Sequence, residues 1–155
     1  MENKKIHLKN RKVLKVSGEN SIEFLNNILT SDITKLKPRE LLPSALLSPQ
    51  GRILFDMLVS LIIVDNSLND KSIYIEYDKD QQDELIKKLN MYNLRRDVSI
   101  EKTSYEVLVT TEDENSTHTL IDKRFFNEDL RRVYIKNLSK NYDVNVNENI
   151  NWYDL

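Results

Sequence analysis

The stretch "RILFDMLVSLIIV", residues 52–64, constrains the fold more than any other part of the chain. It is almost continuously apolar, too short to span a bilayer as a helix, and bounded by "SPQG" before it and "DNSLND" after it. Such a run is expected to form a strand covered on both faces, so the rest of the chain must supply two apolar layers. One carboxylate, Asp56, interrupts it. In a strand Leu54 and Leu58 share its face, while Phe55 and Met57 point the other way. An isolated carboxylate against an apolar wall costs about several kcal/mol even after relaxation, and burial raises its pKa unless a donor is near. Periodicity leaves two readings open. Asp56 is either a structural acid bonded to backbone N–H groups or an Arg, or an acid aimed at a ligand in a pocket.

The flanking segments supply partners for that strand. "RKVLKV", from Arg11 to Val16, predicts a strand, and the spacing of Ile22, Phe24, Leu25, Ile28 and Leu29 predicts a helix over 21–29 capped by Asn20 or Ser21. "KLKPRELLPS" is expected to be a loop leading into a strand at 44–47, and "SPQG" a hairpin turn. "SIYIEY" alternates Ile73 and Ile75 against Tyr74 and Glu76 as a further strand. "DKDQQDELIKKLNMYNL" predicts an amphipathic helix with Leu85, Leu89 and Tyr92 on one stripe and Asp78 or Asp80 at its start. Short strands are expected in "RRDVSIEK", "SYEVLVTTE", "THTLID" and "RRVYIK", with a short turn or helix around 127–130. From Asn137 the pattern weakens until Ile150, Trp152, Tyr153 and Leu155. Hairpins joining several strands imply an α+β fold: a mixed, largely antiparallel sheet with helices packed against one side.

Composition then removes whole classes of chemistry. Cysteine is absent, which excludes disulfides, thiolate nucleophiles and thiolate metal sites from these residues. The two histidines, His7 and His118, have no ligand-spaced partners, so no protein-built metal site is expected. With two glycines, Gly18 and Gly51, no phosphate-cradling loop or dinucleotide fingerprint can form. The 23 basic and 25 acidic residues nearly cancel, so neither nucleic acid nor membrane is expected as a direct partner, and a cytoplasmic location is expected. Arg95 and Arg96 beside Asp97 could grip an anion or form a surface ion pair.

Three blocks, "VLKVSGENSIEFLNNILTSDITKL", "LLSPQGRILFDMLV" and "KLNMYNLRRDVSIE", resemble in order and spacing the YgfZ and glycine-cleavage T-protein superfamily of tetrahydrofolate-binding proteins. The YgfZ-like branch is the closer match. Its marks are Ser-Gly after a strand, a Phe-Leu helix ending in Thr-x-Asp, a Gly-Arg-Ile hairpin with Asp three positions on, and a Tyr-x-Leu-Arg helix exit. "LIDKRFFNEDLRRVYI" also resembles that branch's Asp-x-Arg segment. The branch continues into a Lys-Gly-Cys-Tyr-x-Gly-Gln-Glu block that this sequence lacks, so an N-terminal portion or half of a split gene is expected.

The resemblance implies a T-protein-like (aminomethyltransferase) fold around a folate pocket, with residues 1–112 as the folate-binding-type domain and 113–155 as an incomplete continuation. It implies tetrahydrofolate as cofactor and Asp56 as the acid beside the pterin, assisting proton movement. Thr30 and Asp32 match the Thr-x-Asp block as ligand contacts or as a bonding motif at a helix end. Arg95, with Tyr92 and Leu94, matches the helix exit as ligand contact or packing. The implied function is a role in iron–sulfur cluster assembly or maintenance and in tRNA modification, with the C-terminal half or iron–sulfur client proteins as partners. Aminomethyl transfer in glycine cleavage and a non-catalytic, degenerate fragment are the alternatives.

Overall fold

The computed structural model describes residues 5–63, 71–113, 115–125 and 129–138. Among them the strands are β1 (Ile6–His7), β2 (Arg11–Ser17), β3 (Leu41–Leu47), β4 (Ile53–Ile63), β5 (Lys71–Asp78), β6 (Ser99–Lys102), β7 (Glu106–Thr110), β8 (Thr119–Ile121) and β9 (Arg131–Ile135). The helices are α1 (Ser21–Ile28) and α2 (Gln82–Tyr92). The class is α+β, with two sheets where the sequence pattern predicts one. A five-stranded sheet runs β3-β4-β5-β2-β6 and a four-stranded sheet β1-β7-β9-β8, with antiparallel pairing between neighbouring strands in both.

Both faces of β4 are covered, as its apolar run requires. Phe55, Met57 and Val59 meet Leu25 of α1, Leu85 and Leu89 of α2, and Leu14, Ile73 and Ile75 of neighbouring strands. Leu58 and Ile62 look the other way, into a second core with Val13, Leu41, Tyr74, Tyr105, Val107, Leu120 and Tyr134. The four-stranded sheet therefore covers the face that the helices leave open. It takes β1 and β7 from before residue 112 and β8 and β9 from after it, so residues on either side of that boundary share one sheet.

Several elements differ from expectation for local reasons. β1 was not expected: two residues in a charged stretch carry no period, yet Ile6 and His7 pair with Val109 and Leu108. β3 begins at Leu41, three residues early, and runs through Pro43. Proline is tolerated there because β3 is an edge strand and lacks a partner for that N–H. The "SPQG" turn forms as expected, with the Gly51 N–H donating to the Ser48 carbonyl (2.9 Å) at φ +83°. Gly18 is also required, since a Cβ there would lie 2.7 Å from the Asp97 carbonyl oxygen. The expected turn at 65–70, residues 127 and 128 of the turn or helix near 127–130, and Ile150, Trp152, Tyr153 and Leu155 lie outside the described residues.

Alternation marked Glu76 as a polar position in β5, but the second sheet covers it completely (0% exposed). It stands opposite Leu58 on β4 and Val13 on β2. Arg11 Nε donates to Oε2 (3.0 Å), Arg132 Nε lies 3.3 Å from Oε1, and the Tyr134 hydroxyl donates to Oε1 (3.3 Å). Arg132 is itself 1% exposed and reaches Asp122 Oδ2 with Nη1 (3.4 Å). This cluster ties β2 and β5 of one sheet to β9 of the other. Neutralising its central acid removes the buried charge that Arg11 and Arg132 share, so Glu76→Gln should lower unfolding free energy by about 3–5 kcal/mol in urea titrations. A loss below about 1 kcal/mol would show that the arginines find other compensation.

Candidate functional site

Asp56 pairs with Ala45 of β3 and is exposed. The premise of a buried carboxylate is thus corrected: among the described residues the second sheet does not extend over this end of β4, and the burial cost does not arise. Its face is corrected in part as well. Leu58 is on it and buried, but Leu54 packs against the helix-side core, next to a register shift between Leu46 and Leu47. A bulge adds a residue and re-aims the side chains around it, which strict alternation does not anticipate.

A cation that feels the charge of Asp56 is Arg124, which follows β8. It donates to both oxygens of Asp122, from Nε to Oδ1 (2.9 Å) and from Nη2 to Oδ2 (2.7 Å). Its pKa is raised, first by those hydrogen bonds and then by the fields of Asp122, Glu76 and Asp56. Burial works to raise the pKa of Asp122, but the Arg124 hydrogen bonds and the charges of Arg132 and Arg124 outweigh it and hold the carboxyl below the ordinary range. A bidentate pair of this kind fixes the guanidinium plane. The Arg124 guanidinium is thus held from inside the protein, and the open acid adds a small part of the field around it. A groove of about 290 Å³ adjoins it, between residues 35–43 and the pair Lys123 and Arg124.

Thr30 closes the outer edge of β3. Its N–H donates to the Ala45 carbonyl (3.0 Å), its hydroxyl accepts from the Ala45 N–H (3.0 Å), and Ser31 Oγ donates to the Pro43 carbonyl (2.6 Å). Asp32 caps the short 3₁₀ turn Ile33–Lys35, accepting from the Thr34 N–H (3.1 Å) and hydroxyl. The hydrogen bond from the Thr34 hydroxyl is the main reason its pKa is lowered. Both residues have bonding roles at the end of α1. Through Ala45, Thr30 is also one strand away from Asp56.

Arg95 is elsewhere. It lines a cleft of about 260 Å³ with Asn20, Glu23, Phe24, Tyr92, Leu94 and Asp97, where α1 begins and α2 ends. That end of the sheet is marked by Ser17 of β2, which pairs with Ser99 of β6 one residue beyond the Val16–Ile73 pair, Ile73 in turn standing opposite Leu61, the residue before Ile62 of β4. Asp56 lies six residues back along β4, about 20 Å at the rise of a strand. Asp56, Thr30 and Asp32 thus gather at one end of the sheet and Arg95 at the other. Sequence reasoning noted the Asp-x-Arg segment but missed that Asp122 and Arg124 form a bidentate pair; the signal was two opposite charges at i, i+2 just after a strand.

With the geometry in hand, comparison with known proteins defines the class. No protein-family model matches the sequence, and no curated protein matches it. Among solved structures it is similar to the glycine cleavage system aminomethyltransferase T from Bartonella henselae, with a TM-score of 0.68 at 14% identity. The match covers 86% of this chain and 42% of that one, so the chain spans less than half the length of its structural neighbour. The fold is that of an aminomethyltransferase T-like α+β protein.

Because the Asp122 pKa is lowered in the folded state, its contribution to stability is complete above the ordinary aspartate value of about 3.9 and is lost as pH falls through the lower native value. Asp122→Asn should therefore be less stable than wild type by about 2–4 kcal/mol at pH 7, and the gap should narrow below about pH 4. Urea unfolding at pH 7 and pH 3 measures both, and a gap independent of pH would remove the ionised Asp122 from the account.

Proposed function

We propose that this chain is the N-terminal portion of a tetrahydrofolate-binding protein of the YgfZ-like kind, with Asp56 as the acid that meets the ligand. The observation carrying this reading is an exposed carboxylate at the matching position of the "GRILFDMLV" block, in a chain with the aminomethyltransferase T-like fold. Its oxygens are free to accept from N–H donors, and such charge-assisted bonds gain about 1.5–3 kcal/mol. Arg124, held by Asp122, offers a fixed cation to an anionic part of the same ligand. Bound tetrahydrofolate would supply the nitrogen that carries a one-carbon unit. The chain's own part is to orient the ring and exchange a proton at an Asp56 oxygen.

Thr30 and Asp32 support this end of the sheet by closing β3 and shaping the turn after α1. The YgfZ-like assignment rests on the three sequence blocks, and with it come iron–sulfur cluster maintenance, tRNA modification, a cytoplasmic setting and client enzymes as partners. Arg95 enters only as a contact to a ligand portion or partner reaching the far cleft. Among the described residues, no helix is long and apolar enough to cross a membrane, and no cluster of three or more His, Asp or Glu side chains could hold a metal ion. A second reading, aminomethyl transfer in glycine cleavage, is favoured by the likeness to aminomethyltransferase T.

Calorimetry with tetrahydrofolate tests the proposal. Wild type should bind weakly, and Asp56→Ala should bind about tenfold or more weakly still, a loss of about 1.4 kcal/mol. Because Asp56 is exposed, the variant's unfolding free energy should stay within about 0.5 kcal/mol of wild type. Equal affinities would remove Asp56 from the site; no heat with either protein would refute folate binding by this portion of the fold.

A further inference from the structure

At the far end of the sheet from Asp56, the chain leaves α2 through exposed apolar side chains: Met91 is 54% and Leu94 87% exposed. The turn that carries Leu94 is pinned. The Arg96 N–H donates to the Asn93 carbonyl (3.2 Å), with Arg96 in the left-handed region (φ +53°), and Asn93 Nδ2 donates to the Val98 carbonyl (2.6 Å). Asn20, at the start of α1, ties the same turn down by donating from Nδ2 to Asp97 Oδ2 (2.6 Å). The turn forms one wall of the cleft of about 260 Å³, to which Phe24 and Tyr92 give an apolar lining. A fixed apolar knob thus stands beside a hole with apolar walls. Opposite charges share the patch. Glu23 of α1 and Arg95 of the turn both line the cleft and both are exposed, and among the described residues neither side chain makes an ion pair or a hydrogen bond.

From this we infer that the patch is an isologous interface between two copies of the chain, each placing Leu94 in the cleft of the other. A partner of one charge sign would satisfy either Arg95 or Glu23 and set the other against a like charge, which works against binding. A second copy carries both signs, the knob and the hole on one surface. Two-fold symmetry then doubles each contact: where Arg95 of one protomer meets Glu23 of its partner, the reverse pair forms as well. Burial of Leu94 and Met91 supplies the attraction. The two exposed ion pairs add little to it and set the orientation. Because the turn is already held by its own hydrogen bonds, presenting the leucine costs little freedom. The contact is small, so the dimer is a weak one.

Sedimentation velocity on the wild-type chain, from about 10 μM to about 1 mM, tests the inference, and a monomer–dimer equilibrium is expected within that range. Leu94→Asp should raise the dissociation constant about tenfold or more and, at so exposed a position, leave the melting temperature unchanged. Glu23→Arg and Arg95→Glu should each stay monomeric, since like charges then meet twice across the two-fold axis. Mixed in equal amounts, those two variants should form a one-to-one heterodimer, because both contacts become attractive again; one chain carrying both substitutions should recover the wild-type dimer. A wild-type chain that is monomeric at about 1 mM would overturn the inference. So would a dimer that Leu94→Asp leaves equally tight, or a mixture of the two charge variants that stays monomeric. Every readout is taken without folate, so the outcome is separate from that of the Asp56 reading.

Discussion

The structure depends on one buried carboxylate, Glu76, and the arginines that meet it. The two sheets face each other through leucines, valines and tyrosines, whose attraction is non-directional and would tolerate more than one register. An ion cluster does not tolerate this. Arg132 sits opposite Val109 on β7 and Leu120 on β8, and a one-residue slip of β9 would turn its guanidinium to the other face of the sheet. Glu76 would then lose its 3.3 Å partner and keep its full burial. Tyr134 adds a second condition: burial first, then the Glu76 charge, push its hydroxyl pKa well above the ordinary value, so it stays a donor to that acid.

The same cluster reaches the candidate site. Arg132 passes from Glu76 to Asp122, Asp122 holds Arg124 through two hydrogen bonds, and Arg124 stands in the field of Asp56. A chain of charges therefore runs from the sealed centre of the molecule to its open end. Each internal link lowers the freedom of the next, and the outermost cation arrives in a set orientation. Preorganisation of this kind spares a ligand the cost of ordering the group that meets it.

Much of the fold was legible in the sequence, and the failures share one cause. The apolar run of β4, the helical spacing in α1 and α2, and the "SPQG" turn are local signals, and each formed. The second sheet was not legible as a sheet. Three of its strands, β7, β8 and β9, were expected one by one and β1 was not, and their pairing joins Ile6 to Val109 and Val107 to Tyr134, distances that no local period records. That omission hid which acid is covered. Asp56 looked buried because its neighbours are apolar, and the alternation of Glu76 with isoleucine did not single it out as the sealed acid. Which acid is covered depends on where the second sheet ends. Thr30 and Asp32 were legible as a bonding motif, whereas the separation of Arg95 from Asp56 follows from strand register across the whole sheet.

The division of labour between the acids also bears on how a ligand could be held. A sealed carboxylate such as Glu76 is already satisfied by two arginines and a tyrosine, so it has nothing left to offer a ligand. An exposed one has the opposite difficulty, because water competes for its oxygens and a single hydrogen bond nets little. Binding at Asp56 therefore requires a cover that removes that water. The exposed end of β4 receives none from the second sheet among the described residues, so the cover must come from the ligand's own bulk or from further protein. The neighbouring aminomethyltransferase T is more than twice the length matched here.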